Sequence, residues 1–500
     1  MKKEYWILTC VRMTGLAAFA GMTIASAAAP HGYTVLHHRH HADLRTLPLT
    51  NVHDGTEKGE FLDGTLQVTG FYEQLLTSKK VGKFLGVAPT NTEYNLVHIA
   101  PDTVVAAKGA DAINNHFVHA DPTAPANTAA VKLQLSPSYI YYGALPSLDL
   151  KLPFWSNWYV GAQLPVADCR TNVHRAEKQA SSSNPGELLN YFAGTYASEA
   201  STHRQEKIGT GIFDATLKQQ SGMPHVDVWL RKELFTWPRL AIHGKALLTV
   251  PLIEPAGATH LHGPTLGSNG HWAASGQLRA VIKVWEKYSK AVELHAGADL
   301  RYVLGAKEQR IMPLSTDVVA HPFGHYALLT HVTHAANEPL VPAINRLTKK
   351  VMVTPGLQYE MHSSLRYRTL RWQLEAGYTF VHEAAESLGS FKWEDDTYRL
   401  AGSTYNTTQS YAAQTGVGNA FTAVALQNGS SHTFLQKTDL APARAGHPER
   451  ELHTMWGQIV YRVKNKYAPL SFHAGIAGTA SGSSFVGHAL SAWGGIQLRL

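Results

Sequence analysis

The stretch HWAASGQLRAVIKVWE, His271 to Glu286, decides how the rest of the chain is read. Trp272, Ala274, Gly276, Leu278, Ala280, Ile282 and Val284 alternate with His271, Ser275, Gln277, Arg279 and Lys283, and a period of two belongs to an extended strand. After Lys287-Tyr288-Ser289-Lys290 the alternation resumes, with Val292, Leu294, Ala296, Ala298, Leu300, Tyr302 and Leu304 on one side and Glu293, His295, Asp299 and Arg301 on the other. Two long strands joined by a tight polar turn follow from this pattern. Each is longer than the usual five or six or so residues of a soluble strand, and one whole face carries no charge. A tilted strand crossing lipid needs about nine to eleven residues, which each arm supplies. A sheet of a soluble sandwich would show the same alternation in one hairpin, so the remaining sequence must separate the two.

The polar residues of both arms carry odd numbers, so directly opposed partners must share parity if the charges are to stay on one face. A turn centred on Ser289 sets Arg279 opposite Asp299, Lys283 opposite His295 and Gln277 opposite Arg301, and this register is the expectation. A turn centred on Tyr288 would instead set Lys283 opposite Glu293. Either places an acid across from a base, worth about 0.2 to 1 kcal/mol. A register of mixed parity would turn charges into lipid at roughly 2 to 4 kcal/mol for each Arg or Lys near the midplane.

The alternating pattern recurs almost to the last residue without a break in composition, which favours one large β domain over several soluble ones. Only 16% of residues are charged, while 10% are aromatic and 41 are Gly, so the polar side of the strands is filled largely by Gly, Ser, Thr, Gln and His. Past the amino terminus there is no apolar run of about eighteen residues that could form a membrane helix. A membrane-spanning form of this chain must therefore be a closed barrel, the only sheet that pairs every backbone group inside lipid. The amino terminus reads as an export signal: Lys2, Lys3 and Arg12 are basic, Met13 to Ile24 is mostly apolar, and Ala25-Ser26-Ala27-Ala28-Ala29 suits cleavage. The expected organisation is a cleaved signal at 1–29, a His-rich flexible segment at 30–60 containing His37-His38-Arg39-His40-His41, and a barrel at 61–500. Removal of the signal leaves Cys169 as the sole cysteine, so no internal disulfide is available.

Further strands are expected at Leu62 to Tyr72, from Val131 through Leu135, at Asn157 to Val166, Ile208 to Lys218, Val226 to Glu233 and Leu240 to Leu252. Val351 to Met361 and Leu370 to Phe380 pair across a turn at His362 to Arg366. Lys79 to Asn127, Asp168 to Glu206 and Gln309 to Asn345 read as loops, the second with a short helix at Asn184 to Thr195 that could enter the barrel or cap its rim. Met455 to Val463 and Leu470 to Ile476 alternate on either side of a turn at Lys464-Asn465-Lys466-Tyr467, and Ala492, Gly494, Ile496, Leu498 and Leu500 close the chain within a strand. Thirteen strands are legible, and because single-chain bacterial barrels have even numbers, about fourteen are expected, with twelve to sixteen allowed. The missing one is expected between Glu383 and Glu449, for instance near Phe421 to Leu426.

The terminal Trp493-Gly494-Gly495-Ile496-Gln497-Leu498-Arg499-Leu500 resembles the insertion signal of Gram-negative outer-membrane β-barrel proteins, with Leu500 where those usually have Phe or Trp. At the level of class the resemblance covers about residues 60 to 500. It implies an all-β, single antiparallel transmembrane β-barrel in the cell outer membrane, with outer-membrane lipid, lipopolysaccharide and the barrel assembly machinery as partners.

The same parity assigns a lumen face. If apolar residues meet lipid, then His243, Lys245, Gln277, Arg279, Lys283, Glu293, His295, Asp299, Arg301, Gln358, Glu360, Gln373 and Glu375 line the interior. A lining of mixed sign suits a porin-like channel for small polar solutes, and equally a non-conducting structural or adhesive barrel. No nucleophile elbow, HExxH, phosphate loop or paired CxxC is present, so no catalytic residue, cofactor or metal site is expected, and an outer-membrane hydrolase is the remoter alternative. The net charge of +7 suits anions or acidic headgroups. No basic run interleaved with aromatics suggests nucleic acid.

Overall fold

The computed structural model describes residues 64–76, 93–97, 112–113, 130–153, 155, 157–179, 190–196, 205–214, 216–261, 263–314, 324–326, 328–331, 339–400, 435–463, 469–481 and 488–500. The expected signal peptide, the His37–His41 tract and the stretch around Phe421 lie outside them.

Twelve antiparallel strands close into a barrel. In chain order they are β1 (Gly64–Leu75), β2 (Ala130–Lys151), β3 (Trp158–Gln163), β4 (His225–Trp237), β5 (Leu240–Pro251), β6 (Ala273–Lys287), β7 (Lys290–Val303), β8 (Gln358–Arg368), β9 (Trp372–Glu383), β10 (Arg450–Val463), β11 (Leu470–Ser481) and β12 (Ala489–Arg499). Closure runs through β1, which pairs with β12 from Thr65↔Arg499 to Leu75↔Ala489 and with β2 from Gly64↔Leu150 to Gln74↔Ile140. Two staves continue beyond a break: Val166–Gln179 extends β3 along β2, and Lys218–Gly222 precedes β4 and pairs with that extension. Pro165 and Pro224 sit at the two breaks, where a residue without an N–H cannot continue the ladder.

The count of twelve, instead of about fourteen, has a physical origin. Ile208 to Lys218, expected as a strand, lies mostly in an extramembrane cap, where Ile208 and Phe213 are buried in an apolar core. Val351 to Met361 is not one strand either. Thr348–Thr354 pairs with Ala306–Ile311 in a separate three-stranded sheet, and only Gln358 onward belongs to the barrel. Nor does the chain turn at His362 to Arg366. Those residues lie inside β8, with His362, Ser364 and Arg366 buried on the lumen side, and the turn falls at 369–371. Polar residues on a lumen face look like turn residues when the alternating Ser363 and Leu365 between them are discounted.

The founding hairpin adopts the register centred on Tyr288 and not the one expected. Lys283 lies opposite Glu293, Gln277 opposite Asp299, Ser275 opposite Arg301, and Arg279 opposite Gly297. Tyr288 takes a left-handed φ of 55°, which permits a two-residue turn with Lys287 opposite Lys290. That turn alone would give partners of mixed parity, as Trp285↔Val292 shows, and would send charges into lipid. A bulge between Lys283 and Trp285 restores shared parity. The preceding hairpin repeats the device: Trp237 pairs with Leu240 across a two-residue turn, and an irregularity between Glu233 and Phe235 corrects the register.

The barrel is built inside out. Leu278, Ile282, Leu300, Leu365, Leu374, Met455, Ile459 and Ile476 are exposed on the outer wall, while Asp149, Arg231, Glu293, Asp299, Arg366 and Glu375 are buried within. Burial of charge beside exposure of aliphatic side chains is the reverse of a soluble domain and the pattern of a barrel in lipid. One end carries the short connections at 238–239, 288–289 and 369–371 together with Gly64 and the carboxy terminus. Exposed Trp155, Phe235, Trp237, Trp285 and Trp372 ring that end, and Trp272, Tyr302 and Tyr72 the other, as interfacial girdles do. Short turns mark the periplasmic side and long connections the extracellular side.

At the extracellular end the long connections build a conventional apolar core. Tyr191 and Phe192, from the expected helix whose described turn is 190–192, pack with Phe213, Tyr326, Leu329, Ile344, Leu347 and Val353. The Tyr191 hydroxyl donates to the Tyr326 carbonyl at 2.6 Å, and the Tyr326 hydroxyl to the Gly211 carbonyl at 2.7 Å. The segment therefore contributes to a cap over the rim. Leu75, Tyr139, Tyr141 and the buried Cys169 join the same core from the upper barrel wall.

Candidate functional site: the charged barrel interior

The inner wall carries side-chain clusters of both signs. In the largest, the Glu375 carboxylate accepts from Arg366 Nε and Nη2, both at 2.9 Å, from Gln458 Nε2 at 3.0 Å and from Ser364 Oγ at 2.5 Å. Arg366 also lies 3.8 Å from Glu293, which pairs with Arg368 at 3.0 Å and with His295 at 3.3 Å. Arg279 Nη2 reaches His295 Nδ1 at 3.1 Å, a diagonal contact that the two-residue register shift makes possible. Five consecutive strands, β6 to β10, are thus tied together along the inner face of the wall.

A second cluster sits on β2 to β5. Asp149 accepts from Arg231 Nη2 at 2.5 Å and from the Trp229 indole at 3.1 Å, and the Arg231 guanidinium lies over the Tyr159 ring at 4.0 Å. Asp227 accepts from Gln163 at 2.8 Å and Thr249 at 2.6 Å. Lys245 stacks over the Trp229 ring at 4.2 Å.

The lumen also carries rings opposite glycines. Trp229 faces Gly161, Trp456 faces Gly377 and Trp493 faces Gly475, each pair directly opposed across neighbouring strands. A Cβ on Gly377 would stand 2.4 Å from the Trp456 ring, and one on Gly161 or Gly475 2.3 Å from its Trp, so these positions exclude any side chain. Each ring covers bare backbone that would otherwise lack a packing partner.

Between the upper lumen and the cap lies a polar cavity whose lining includes His225, His271, Arg301, Glu308, Gln358 and Glu383. Arg301 Nη1 donates to Gln358 Oε1 at 3.2 Å, and Arg450 pairs with Glu383. His271, buried just before β6, holds the cap to the barrel: its Nδ1 meets the Leu304 carbonyl at 2.8 Å and its Nε2 the Glu308 carboxylate at 2.6 Å. Both partners are acceptors while Glu308 is ionised, so the arrangement favours the doubly protonated ring. Burial opposes that charge, but the Glu308 and Leu304 bonds outweigh it and raise the His271 pKa above its ordinary value. Glu308 continues to Arg310 at 2.9 Å, and Arg310 to Glu386 at 3.2 Å, which balances the charge.

Of the residues assigned to the lumen from sequence, Glu293, His295, Asp299, Arg301, Glu360, Gln373 and Glu375 are buried, while His243, Lys245, Gln277, Arg279, Lys283 and Gln358 are partly so. Glu293, His295, Arg279 and Glu375 come together in one cluster, whereas Lys283 pairs with Glu286 near the periplasmic turn. Gly494, Ile496, Leu498 and Leu500 occupy the outer face or end of the closing strand. The sequence reading missed Asp149, Asp227, Arg231, His362 and Arg366. The last two continue the parity of Gln358 and Glu360, a signal that was available in the sequence.

No family model matches the sequence, and no curated protein matches it. Among solved structures, the chain is similar to an outer membrane channel from Pseudomonas putida F1, at 9% identity over 89% of this chain and 98% of that one, with a TM-score of 0.35. It is also similar to the transport unit of the autotransporter AIDA-I from Escherichia coli, at 7% identity over 90% and 94% of the two chains, with a TM-score of 0.33. The toluene transporter TodX of Pseudomonas putida matches at 10% identity over 94% and 95%, with a TM-score of 0.31. Likenesses this distant carry no inference about cargo, and the assignment rests on strand pairing and on which side chains face lipid. With a closed twelve-strand wall, an apolar outer belt, two aromatic girdles and a charged interior, the chain is a transmembrane β-barrel.

Proposed function

We propose that the barrel is a porin-like channel for small polar solutes. The observation that carries this reading is the cavity at the junction of lumen and cap, whose lining includes groups of both signs above the charged interior. A solute entering there meets Arg301, Gln358, Glu383 and Arg450, which can replace its hydration with fixed donors and acceptors. The clusters on β6 to β10 give the path below a charged inner wall of both signs. The outer belt would contact lipid and lipopolysaccharide, and the terminal strand with Gly494, Ile496, Leu498 and Leu500 would serve the assembly machinery. We assign no catalytic role to any residue of the interior.

Purified protein in planar phospholipid bilayers tests this directly. Discrete current steps, altered in size by Arg301→Ala or Glu383→Gln, are expected. An apolar cap over the extracellular mouth favours a second reading, a structural or adhesive barrel that does not conduct. Folded protein that inserts and passes no current would establish that one in place of the channel.

A further inference from the structure

On the outer wall, at the extracellular end of β9 and β10, three side chains converge that the solute path does not use. His382 and Glu451 are directly opposed across the two strands, and Glu449 stands two residues before Glu451. His382 Nδ1 lies 3.6 Å from a Glu449 oxygen and 3.7 Å from a Glu451 oxygen, and the three candidate ligand atoms all fall within 4.8 Å of one another. That nitrogen is enclosed and makes no hydrogen bond. A hydrogen bond would draw the groups to about 3.2 Å or less. Donors at about 2.0 to 2.2 Å from a shared tetrahedral ion stand roughly 3.3 to 3.6 Å apart, and the two separations from His382 Nδ1 lie at the top of that range.

The geometry points to a divalent transition-metal site of the zinc class, with His382 Nδ1 and the carboxylates of Glu449 and Glu451 as ligands and solvent completing the shell. One imidazole with two carboxylates suits zinc better than calcium or magnesium, which take oxygen donors. The Tyr359 ring stacks on the His382 ring, centroids 4.5 Å apart at 22°, and holds the plane of the imidazole. Both carboxylates are exposed, and Glu449 lies beyond the end of β10 on the connection to the cap, so an ion can enter from the extracellular side. The bound ion would cross-link β9 to β10 where the connection 384–449 leaves the barrel. That connection supplies Phe391, Leu435, Leu440 and Ala445 to the cap core, so the ion would stiffen the base of the cap. This site is independent of whether the barrel conducts.

The test is a titration of the folded full-length mature chain in detergent with zinc alone. It carries His37→Asn, His38→Asn, His40→Asn and His41→Asn so that the amino-terminal imidazoles do not contribute. We expect one zinc per chain. His382→Ala and Glu451→Gln should each weaken binding at least about tenfold, the lower end of what loss of a supporting partner alone costs. Glu449→Gln, on the most exposed of the three side chains, guards against misfolding and should also weaken binding, with folding checked by heat-modifiable gel mobility. X-ray absorption should report one imidazole and oxygen donors. No binding by the parent chain, or binding unchanged by His382→Ala, would overturn the site.

Discussion

Replacing Glu375 with Gln removes the charge at the centre of the interior while keeping the side-chain shape. The carboxylate accepts four hydrogen bonds, from Arg366 Nε and Nη2, Gln458 and Ser364, at 2.5 to 3.0 Å, and Glu375 is only 4% exposed. A Gln amide can keep its oxygen on the Arg366 fork and Gln458 and turn its NH2 to the Ser364 hydroxyl, so what the substitution removes is the charge opposite Arg366. Breaking a buried pair by removing one member costs about 3 to 5 kcal/mol. Arg366 retains Glu293 at 3.8 Å, so we expect the lower end, about 3 kcal/mol. The double variant Glu375→Leu/Arg366→Leu leaves no orphaned charge and should be more stable than the sum of its single variants by roughly 2 kcal/mol. Urea unfolding of the barrel refolded in phospholipid vesicles, followed by Trp fluorescence, measures both. A single substitution costing under about 1 kcal/mol, or additive single and double variants, would refute the view that these charges hold the wall together.

Gly377→Val should destabilise by about 1 to 3 kcal/mol because its side chain meets the Trp456 ring. Gly276→Ala, which meets nothing within 4 Å, should stay within about 0.5 kcal/mol of the parent in the same unfolding assay. The raised pKa of His271 sets a sign for pH dependence: its contribution is complete below the ordinary value of 6.5 and is lost as pH rises through the folded value. The stability difference between the parent and His271→Leu, read from thermal unfolding, should therefore shrink from pH 5.5 to pH 9, with Glu308, Arg310 and Glu386 as the charged neighbours. Cys169, 1% exposed, should resist maleimide in the folded barrel and react fully once unfolded.

Much of the wall was legible because a lipid-facing strand has one strict rule, an apolar residue at every second position, and β6, β7 and β10 to β12 obey it. Parity alone put Glu293, Asp299 and Glu375 on one face. The register of the founding hairpin was not legible, since a bulge at Lys283 to Trp285 has no composition of its own and Tyr288 is an ordinary residue in an unusual conformation. Strand β8 was cut short where His362, Ser364 and Arg366 imitate a turn. The cap misled in the opposite way: Ile208, Val351 and Val353 are apolar because they fill a soluble-type core, and alternation cannot distinguish that from contact with lipid. Pairings of Trp with Gly across strands were invisible because they join residues far apart in sequence.

The central claim, that apolar side chains face lipid and charged ones the interior, is tested most directly by nitroxide labels at neighbouring positions on β6 and β7. In a Cys169→Ser background reconstituted in vesicles, Leu278→Cys and Leu300→Cys should be open to dissolved oxygen, which concentrates in lipid. Gln277→Cys and Asp299→Cys should be shielded from it. Uniformly low oxygen collision at all four positions, as in the dry core of a sandwich, would contradict the account.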